Sequence, residues 1–359
     1  MATTIIQTVK EIDSSKIKEF GAQLRGEIIM PADSLYDETR KVFNAMIDKH
    51  PGMFVMCKDV ADVMASVNFA RKNDLEVAVR GGGHNGGGLG LCDGGVVIDL
   101  SGIKFVRVDT SDNTVRVGGG NLWGEVDHAT HAFGLAVPAG IISTTGVGGL
   151  TLGGGVGYLS RKFGLTIDNL LEADMVLADG SFVTVNKDQQ EDLFWAIRGG
   201  GGNFGVITSF KFQAHAVKSV IGGPTLWPIE KTEEIMEWYD GFIHKAPEDL
   251  NGFIATLVIP GPPFPEKLHN KQFCGIVWCY TGDQENTKEI FKPILEKNPV
   301  FEHVGEMPYP AIQSLFDGLF PPGLQWYWRA DFFNELKLEI REQHLKFGSK
   351  IPTPLSQMH

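Results

Sequence analysis

A single imidazole, His84, stands in the middle of Arg80-Gly-Gly-Gly-His-Asn-Gly-Gly-Gly-Leu-Gly90. Glycines on both sides leave almost no side chain to shield the backbone, so the main chain can take positive φ and come very close to a bound group. Consecutive N–H groups in such a loop can cradle an anion, typically a phosphate. The chemistry open to this run is anion binding beside a reactive ring. A glycine-rich turn that carries a surface histidine is the plainer alternative. Gly81, Gly83 and Gly86 also satisfy G-x-G-x-x-G, but that fingerprint needs a following helix to receive a pyrophosphate. Here Leu89-Gly-Leu-Cys-Asp-Gly-Gly95 and the apolar run Val96–Leu100 follow, and Leu75–Val79 leads in. The pattern is strand, glycine loop, strand.

A second cluster, Gly146-Val-Gly-Gly-Leu-Thr-Leu-Gly-Gly-Gly-Val-Gly157, is too rich in glycine for a strand. Two readings stand side by side: a backbone lying flat against something large and rigid, or a tight helix–sheet contact that needs small residues. Of the 44 glycines, 30 fall between residues 80 and 205, so the excess belongs to one region.

The 359 residues exceed one typical core and predict two domains. A net charge of −12 argues against a nucleic-acid or anionic-membrane surface, which needs basic patches. No run of ~18 apolar residues is present, so no membrane span is expected. Met1–Lys10 lacks a charged head before a long apolar core, so no signal peptide is expected and the cytoplasm is the default location. Cys57, Cys92, Cys274 and Cys279 are too scattered for a disulfide framework. Cys274 and Cys279 have an odd separation in an apparent strand and point to opposite faces. All four are expected to be buried thiols. His128 and His131 share a helical face, but no third metal ligand is in view.

The elements that must position these residues follow from periodicity and turn chemistry. Helices are predicted at Ser14–Leu24, Tyr36–Ile47, from Lys58 through Ala70, at Leu122–Phe133 before Gly134, after an Asp188/Glu191 capping box, at Glu230–Ile243 and at Gln284–Lys297. Strands are predicted at Phe54–Cys57, Val106–Asp109, Thr114–Val117, Asp174–Ala178, Ser181–Val185 around the turn Asp179-Gly180, Val206–Phe212, Asn251–Ile259, Phe273–Thr281 and Gln325–Phe333. Pro260–Pro265 reads as a stiff loop. Glycine becomes sparse after residue 215, which marks a boundary near 215–222 and an α+β second half.

Taken together and in order, the motifs are more specific than any one of them: Arg80-Gly-Gly-Gly-His84-Asn, Pro138-Ala-Gly140, Thr145-Gly-Val-Gly-Gly149, Gly153-Gly-Gly-Val-Gly157, Arg161-Lys-Phe-Gly164, Asp168-Asn, Ala178-Asp-Gly180 and Asp192-Leu-Phe-Trp-Ala-Ile-Arg-Gly-Gly-Gly-Gly-Asn-Phe-Gly-Val206. The set resembles the FAD-linked oxidases of the berberine-bridge-enzyme-like group, in the vanillyl-alcohol-oxidase / p-cresol-methylhydroxylase superfamily. The resemblance is close over about residues 25–215. It implies a lead-in at 1–44, a two-subdomain α+β FAD-binding domain of the p-cresol-methylhydroxylase type at 45–217, and an incomplete antiparallel-sheet substrate domain at 218–359. It implies that His84 bonds the flavin 8α-methyl carbon. Arg80, Gly81, Gly82, Gly83, His84 and Asn85 would wrap the pyrophosphate. Thr144, Thr145, Gly146, Gly148 and Gly149, with Gly153, Gly154, Gly155 and Gly157, would lie against pyrophosphate and ring, and Val206 near the adenine. The implied partners are a small-molecule substrate and molecular oxygen as acceptor, with Thr145 leaving room for oxygen.

Two departures carry expectations of their own. Many members bear a second flavin link through a cysteine after Pro-Ala-Gly; Ile142 stands there, so one link is expected. Members also continue past the equivalent of His359 with a tyrosine-rich segment that often supplies the catalytic tyrosine. Within this chain Tyr327 and Arg329, on one face of the expected strand Gln325–Phe333, are the candidates to meet substrate, and a solvent-facing polar face is the plainer reading. An FAD-dependent oxidoreductase oxidising CH–OH or related C–H donors is therefore expected. A non-covalent NAD(P)H-dependent flavin reductase and a catalytically silent flavin-binding fragment are the alternatives. Turnover separates the first from the last, and bleaching of the flavin by NADPH marks the second.

Overall fold

Met53–Met56 and Val77–Arg80 both pair in parallel with Val96–Asp99, and Glu27–Ile29 closes the far edge antiparallel to Met53–Met56. The central strand Val96–Asp99 is buried along its whole length, which is why Val96, Val97 and Ile98 are apolar in succession; the buried Asp99 is paired with Arg80. The helix Val60–Lys72 begins where the Asp59 carboxylate accepts the Ala61 and Asp62 amides. Its Val63, Val67 and Ala70 join Met53, Val55, Val96 and Ile98 in one core. The glycine loop leaves this sheet at the carboxyl end of Val77–Arg80, the end at which parallel sheets place ligands. This computed structural model describes residues 7–262 and 264–359. Met1–Ile6, on which part of the leader expectation rests, and Pro263 of the expected stiff loop lie outside the described residues.

A second sheet is antiparallel, in the order Val106–Asp109, Thr114–Gly118, Val206–Gln213, Leu170–Val176, Phe182–Asn186. The Asp179-Gly180 turn closes the last hairpin, with Gly180 at φ 86°. The helix Trp123–His131 packs on this sheet and shares a core with Val115, Val117, Phe210 and Phe212. Both sheets belong to one compact unit, made of residues up to Gly157, Gly164–Ala216 and Pro321–Trp328.

The other unit comprises Tyr158–Phe163, Val217–Phe320 and Arg329–His359. Its antiparallel sheet runs Phe301–Glu302, Ser219–Pro228, Gln272–Tyr280, Leu250–Val258, Gln357–Met358, and Gly305–Pro308 also pairs with Ser219–Pro228. The helices Thr232–Ile243 and Thr287–Leu295 contribute Ile235, Phe291 and Ile294 to a core around Trp227 and Trp278. A side chain at Gly252 would run into the Trp278 ring at 2.8 Å, so this strand position must stay bare. Arg161 donates to four main-chain carbonyls, those of Ile243, Ala246, Pro247 and Leu250, at 2.5–3.0 Å. Among the described residues no helix is long and apolar enough to cross a membrane.

The mixed α+β class and most elements match the sequence reading, and three do not. The helix expected over Tyr36–Ile47 stops at Thr39. Beyond it the Phe43 amide is drawn to the Gly83 carbonyl at 3.1 Å, a tertiary bond that periodicity cannot register. Asp188 does not cap the next helix: Gln190, left-handed at φ 54°, is its N-cap, and Asp188 sits in the preceding turn with its amide on Asn186. By contrast, the second glycine cluster contains a short helix, Val147–Leu152, as one of its two open readings allows. Gln325–Phe333 forms no strand, because no neighbouring strand among the described residues offers it a ladder.

Candidate functional site

The His84 ring lies face to face with Phe43, centroids 3.8 Å apart at 26°. Its Nε2 is 3.1 Å from the Thr144 hydroxyl. The loop around it is shaped by Gly83 and Gly88 at φ 67° and 71°. Asn85 stiffens it locally: its side-chain oxygen accepts the Leu89 amide at 3.0 Å, and its carbonyl the Gly88 amide at 3.1 Å.

The two glycine clusters, sixty residues apart in sequence, meet backbone to backbone beside this ring. A Cβ on Gly82 would stand 2.6 Å from Gly146 Cα, and one on Gly146 would stand 2.5 Å from Gly82 N. Residues 142–147 are held from behind. The Trp123 amide donates to Thr145 O at 3.0 Å, the Gly124 amide to Ser143 O at 2.8 Å, and the Val147 amide to Asn121 O at 3.0 Å. Further on, Gly157 packs so tightly on the Ala139 carbonyl that a Cβ would lie 1.9 Å from it, and Gly155 at φ 80° packs on Thr166. Gly154, also left-handed at φ 112°, accepts the Ile167 amide. The Gly199–Gly202 run joins the assembly through its Gly199 amide on Leu152 O at 3.2 Å. Within the second cluster Gly146, Gly155 and Gly157 make close packing contacts, whereas a Cβ on Gly149 would meet nothing within 4 Å; the same holds for Gly199, Gly201 and Gly202 in the third glycine segment. Gly148 and Gly153 face only ordinary contacts, at 3.5 and 3.4 Å.

Other candidate residues are placed differently. Arg80 is 8% exposed, paired with Asp99, bonded to the Thr39 carbonyl and laid over the Phe54 ring at 4.8 Å. Asp99 is its register partner on the adjacent parallel strand. The guanidinium charge is thus already matched by Asp99, and the Arg80 carbonyl accepts the Leu100 amide at 2.8 Å. Val206 is buried and pairs with Val176. Ile142 is buried. Tyr327 is 76% exposed and Arg329 is exposed, and the residues from Gln325 to Phe333 form no strand. The four cysteines are buried, and burial pushes their thiols up to about 12 for Cys57, Cys274 and Cys279 and about 11 for Cys92.

The sequence reading missed Phe43, Asn44 and Trp326. Asn44 Nδ2 donates to the carbonyls of Gly86 at 3.0 Å and Trp326 at 2.9 Å, and its Oδ1 accepts the Trp326 amide at 2.9 Å. The Phe43 ring lies 6.2 Å from Trp326 and 6.0 Å from Trp328. Nothing in local spacing signals a contact between residues 282 apart.

Bare backbone packed on bare backbone, with open glycine surface alongside, fits a ligand that is anionic at one end and broad and flat at the other. The FAD binding domain family matches residues 51–186. The chain is 34% identical over 342 residues to an FAD-linked oxidoreductase of Dictyostelium discoideum, covering 94% of this chain and 72% of that one. It belongs to the berberine-bridge-enzyme-like FAD-linked oxidoreductases. (R)-6-hydroxynicotine oxidase of Paenarthrobacter nicotinovorans is 38% identical over 205 residues, covering 57% of this chain and 45% of that one. The solved structure of BBE-like 1 from Physcomitrella patens superposes with a TM-score of 0.71 at 29% identity, over 81% of this chain and 62% of that one. This family member thus spans less than two thirds of the latter two proteins, and its first unit carries the p-cresol-methylhydroxylase-type FAD-binding fold.

Proposed function

We propose that this chain is an FAD-dependent oxidoreductase in which His84 carries the flavin covalently and a small-molecule CH–OH or related C–H donor is oxidised, with oxygen as acceptor. The observation that carries the reading is the approach of Gly82 to Gly146 next to the half-buried imidazole. Bound flavin supplies the hydride-accepting centre. The protein supplies the rest. Backbone N–H groups of Gly81–Asn85 face a pyrophosphate, a task a chain of net charge −12 can perform through main-chain dipoles. Thr144, Thr145, Gly148, Gly149 and Gly153 keep bulky side chains off the ring. Gly154, Gly155 and Gly157 hold the backbone of that wall against its own core. The relatives' names support oxidase chemistry on a small donor.

The test is an acid precipitation. The protein is expected to stay yellow after denaturation and to gain one FAD by intact mass, and His84→Ala is expected to release the flavin into the supernatant. A colourless precipitate from the unmutated protein would refute the tether. The exposure of Tyr327 favours examining a second reading, flavin binding without turnover. A panel of sugars, alcohols and phenols with oxygen or a dye acceptor decides between them.

A further inference from the structure

We propose that Phe43 and Asn44 are positioning residues for His84, holding loop and ring in the attitude from which the flavin bond forms. This rests on the tether reading above. A loop of glycines has little rigidity of its own, because each glycine is free over most of φ/ψ space. Here rigidity is borrowed from outside the loop. The Phe43 amide takes the Gly83 carbonyl at 3.1 Å and the Asn44 side chain takes the Gly86 carbonyl at 3.0 Å, so the two residues bracket His84-Asn85 from both sides. The Phe43 ring then lies on the imidazole at 3.8 Å and blocks rotation out of its plane, while Thr144 Oγ1 at 3.1 Å from Nε2 fixes rotation within it. Both residues are themselves immobilised: Phe43 is buried, and Asn44 is 2% exposed with its oxygen also accepting the Met46 amide at 3.1 Å. Both precede residue 51, where the match to the FAD binding domain family begins.

In the coupling, one C–H of the flavin 8α-methyl group and one imidazole N–H are replaced by a C–N bond. The two protons and two electrons released pass to dioxygen, giving hydrogen peroxide. The strap's contribution is orientation alone, which for a mispointed nucleophile is worth about tenfold or more in rate.

The experiment compares purified wild type, Phe43→Leu, Phe43→Tyr, Asn44→Ser and His84→Ala, each expressed in flavin-replete cells. Total flavin is read by absorbance, acid-stable flavin by in-gel fluorescence and intact mass, and folding by thermal melting. Phe43→Leu is expected to bind flavin yet show at least a fivefold smaller covalent fraction, with Phe43→Tyr restoring it and Asn44→Ser intermediate. A wild-type covalent fraction in both Phe43→Leu and Asn44→Ser overturns the proposal. Should Phe43→Leu not fold, Asn44→Ser and Phe43→Met decide by the same criterion. If wild type itself releases its flavin in acid, the tether reading and the strap fall together. If wild type is tethered and His84→Ala is not, the tether stands and the Phe43 and Asn44 variants judge the strap alone.

Discussion

Replacing Gly82 by alanine tests the contact on which the site is built. Gly82 does not need the left-handed region, so the substitution is conformationally allowed and the outcome depends on space. The new methyl would sit 2.6 Å from Gly146 Cα, 2.7 Å from Gly146 N and 2.9 Å from Leu122 Cδ2. Comfortable carbon–carbon contact begins near ~3.5 Å, so two backbones must part by about 1 Å. Backbone cannot rotate aside as a side chain can. Overpacking of this kind costs about 1–3 kcal/mol, and the loss of unfolded-state freedom on replacing glycine returns about 0.4–1 kcal/mol. The net expectation is a destabilisation of about 1–2 kcal/mol, a fall of a few degrees in melting temperature. The control is Gly149→Ala, in the helix Val147–Leu152 with nothing within 4 Å of the added carbon. Helix propensity alone would stabilise it by up to about 1 kcal/mol. Thermal melting and flavin content are measured on both. Gly82→Ala should melt lower and hold less flavin; Gly149→Ala should melt no lower yet also hold less flavin, since its methyl intrudes on the open surface. Wild-type melting and flavin content in Gly82→Ala would refute the backbone contact.

Further outcomes follow from the same geometry. Arg80→Met leaves the Asp99 carboxylate buried without its cation and should cost about 3–5 kcal/mol in urea unfolding; lost flavin affinity at unchanged stability would instead place the guanidinium on the pyrophosphate. Burial, with His359 nearby, holds the His344 imidazole down to about 4, below its ordinary 6.5. Between these values the unfolded chain takes up a proton that the folded one refuses, so this contribution is complete above pH 6.5 and lost as pH falls to about 4; His344→Gln should flatten the stability profile by up to about 3 kcal/mol over that window. In the His84→Ala/Ile142→Cys double variant, acid-stable flavin should reappear if residue 142 faces the ring, and its absence counts against that alignment. Photoreduced flavin should reoxidise quickly in aerated buffer and slow sharply in Thr145→Leu; reoxidation over minutes that is indifferent to position 145 would reject oxygen as acceptor.

Local signals in the sequence located most elements and the three glycine segments. Apolar periodicity from Lys58 to Ala70 announced a helix, Asp179-Gly180 a hairpin, and the run Val96–Leu100 a strand, because each depends on residues within a few positions. Taken singly the glycine segments were legible only as unusual; the whole motif set joined them by resemblance into one flavin site, and the Gly82–Gly146 approach shows how two of them meet. What stayed hidden depends on distant partners. Phe43 and Asn44 fell inside a helical pattern that tertiary bonds to Gly83 and Gly86 override. Arg80 reads beside a glycine cradle as a phosphate ligand, and only its parallel neighbour Asp99 shows where its charge is matched. Alternation alone suggested a strand at Gln325–Phe333, but pairing partners make a strand.

The division of the chain also governs how it can be taken apart. One unit draws Tyr158–Phe163 out of the middle of the other unit's sequence, and the latter reclaims Pro321–Trp328 from near the far end. A cut at the glycine boundary near residue 217 would therefore yield no self-sufficient piece. The upstream fragment would carry Tyr158 and Leu159, both buried in the intact chain, with no core to enter, and would lack the Trp326 main chain that Asn44 grips. The downstream fragment would present the four carbonyls of Ile243, Ala246, Pro247 and Leu250 without Arg161. Severed halves should stay insoluble when made singly and recover when co-expressed, so the two units form a single heritable module whose swapping between relatives requires five crossover points or none.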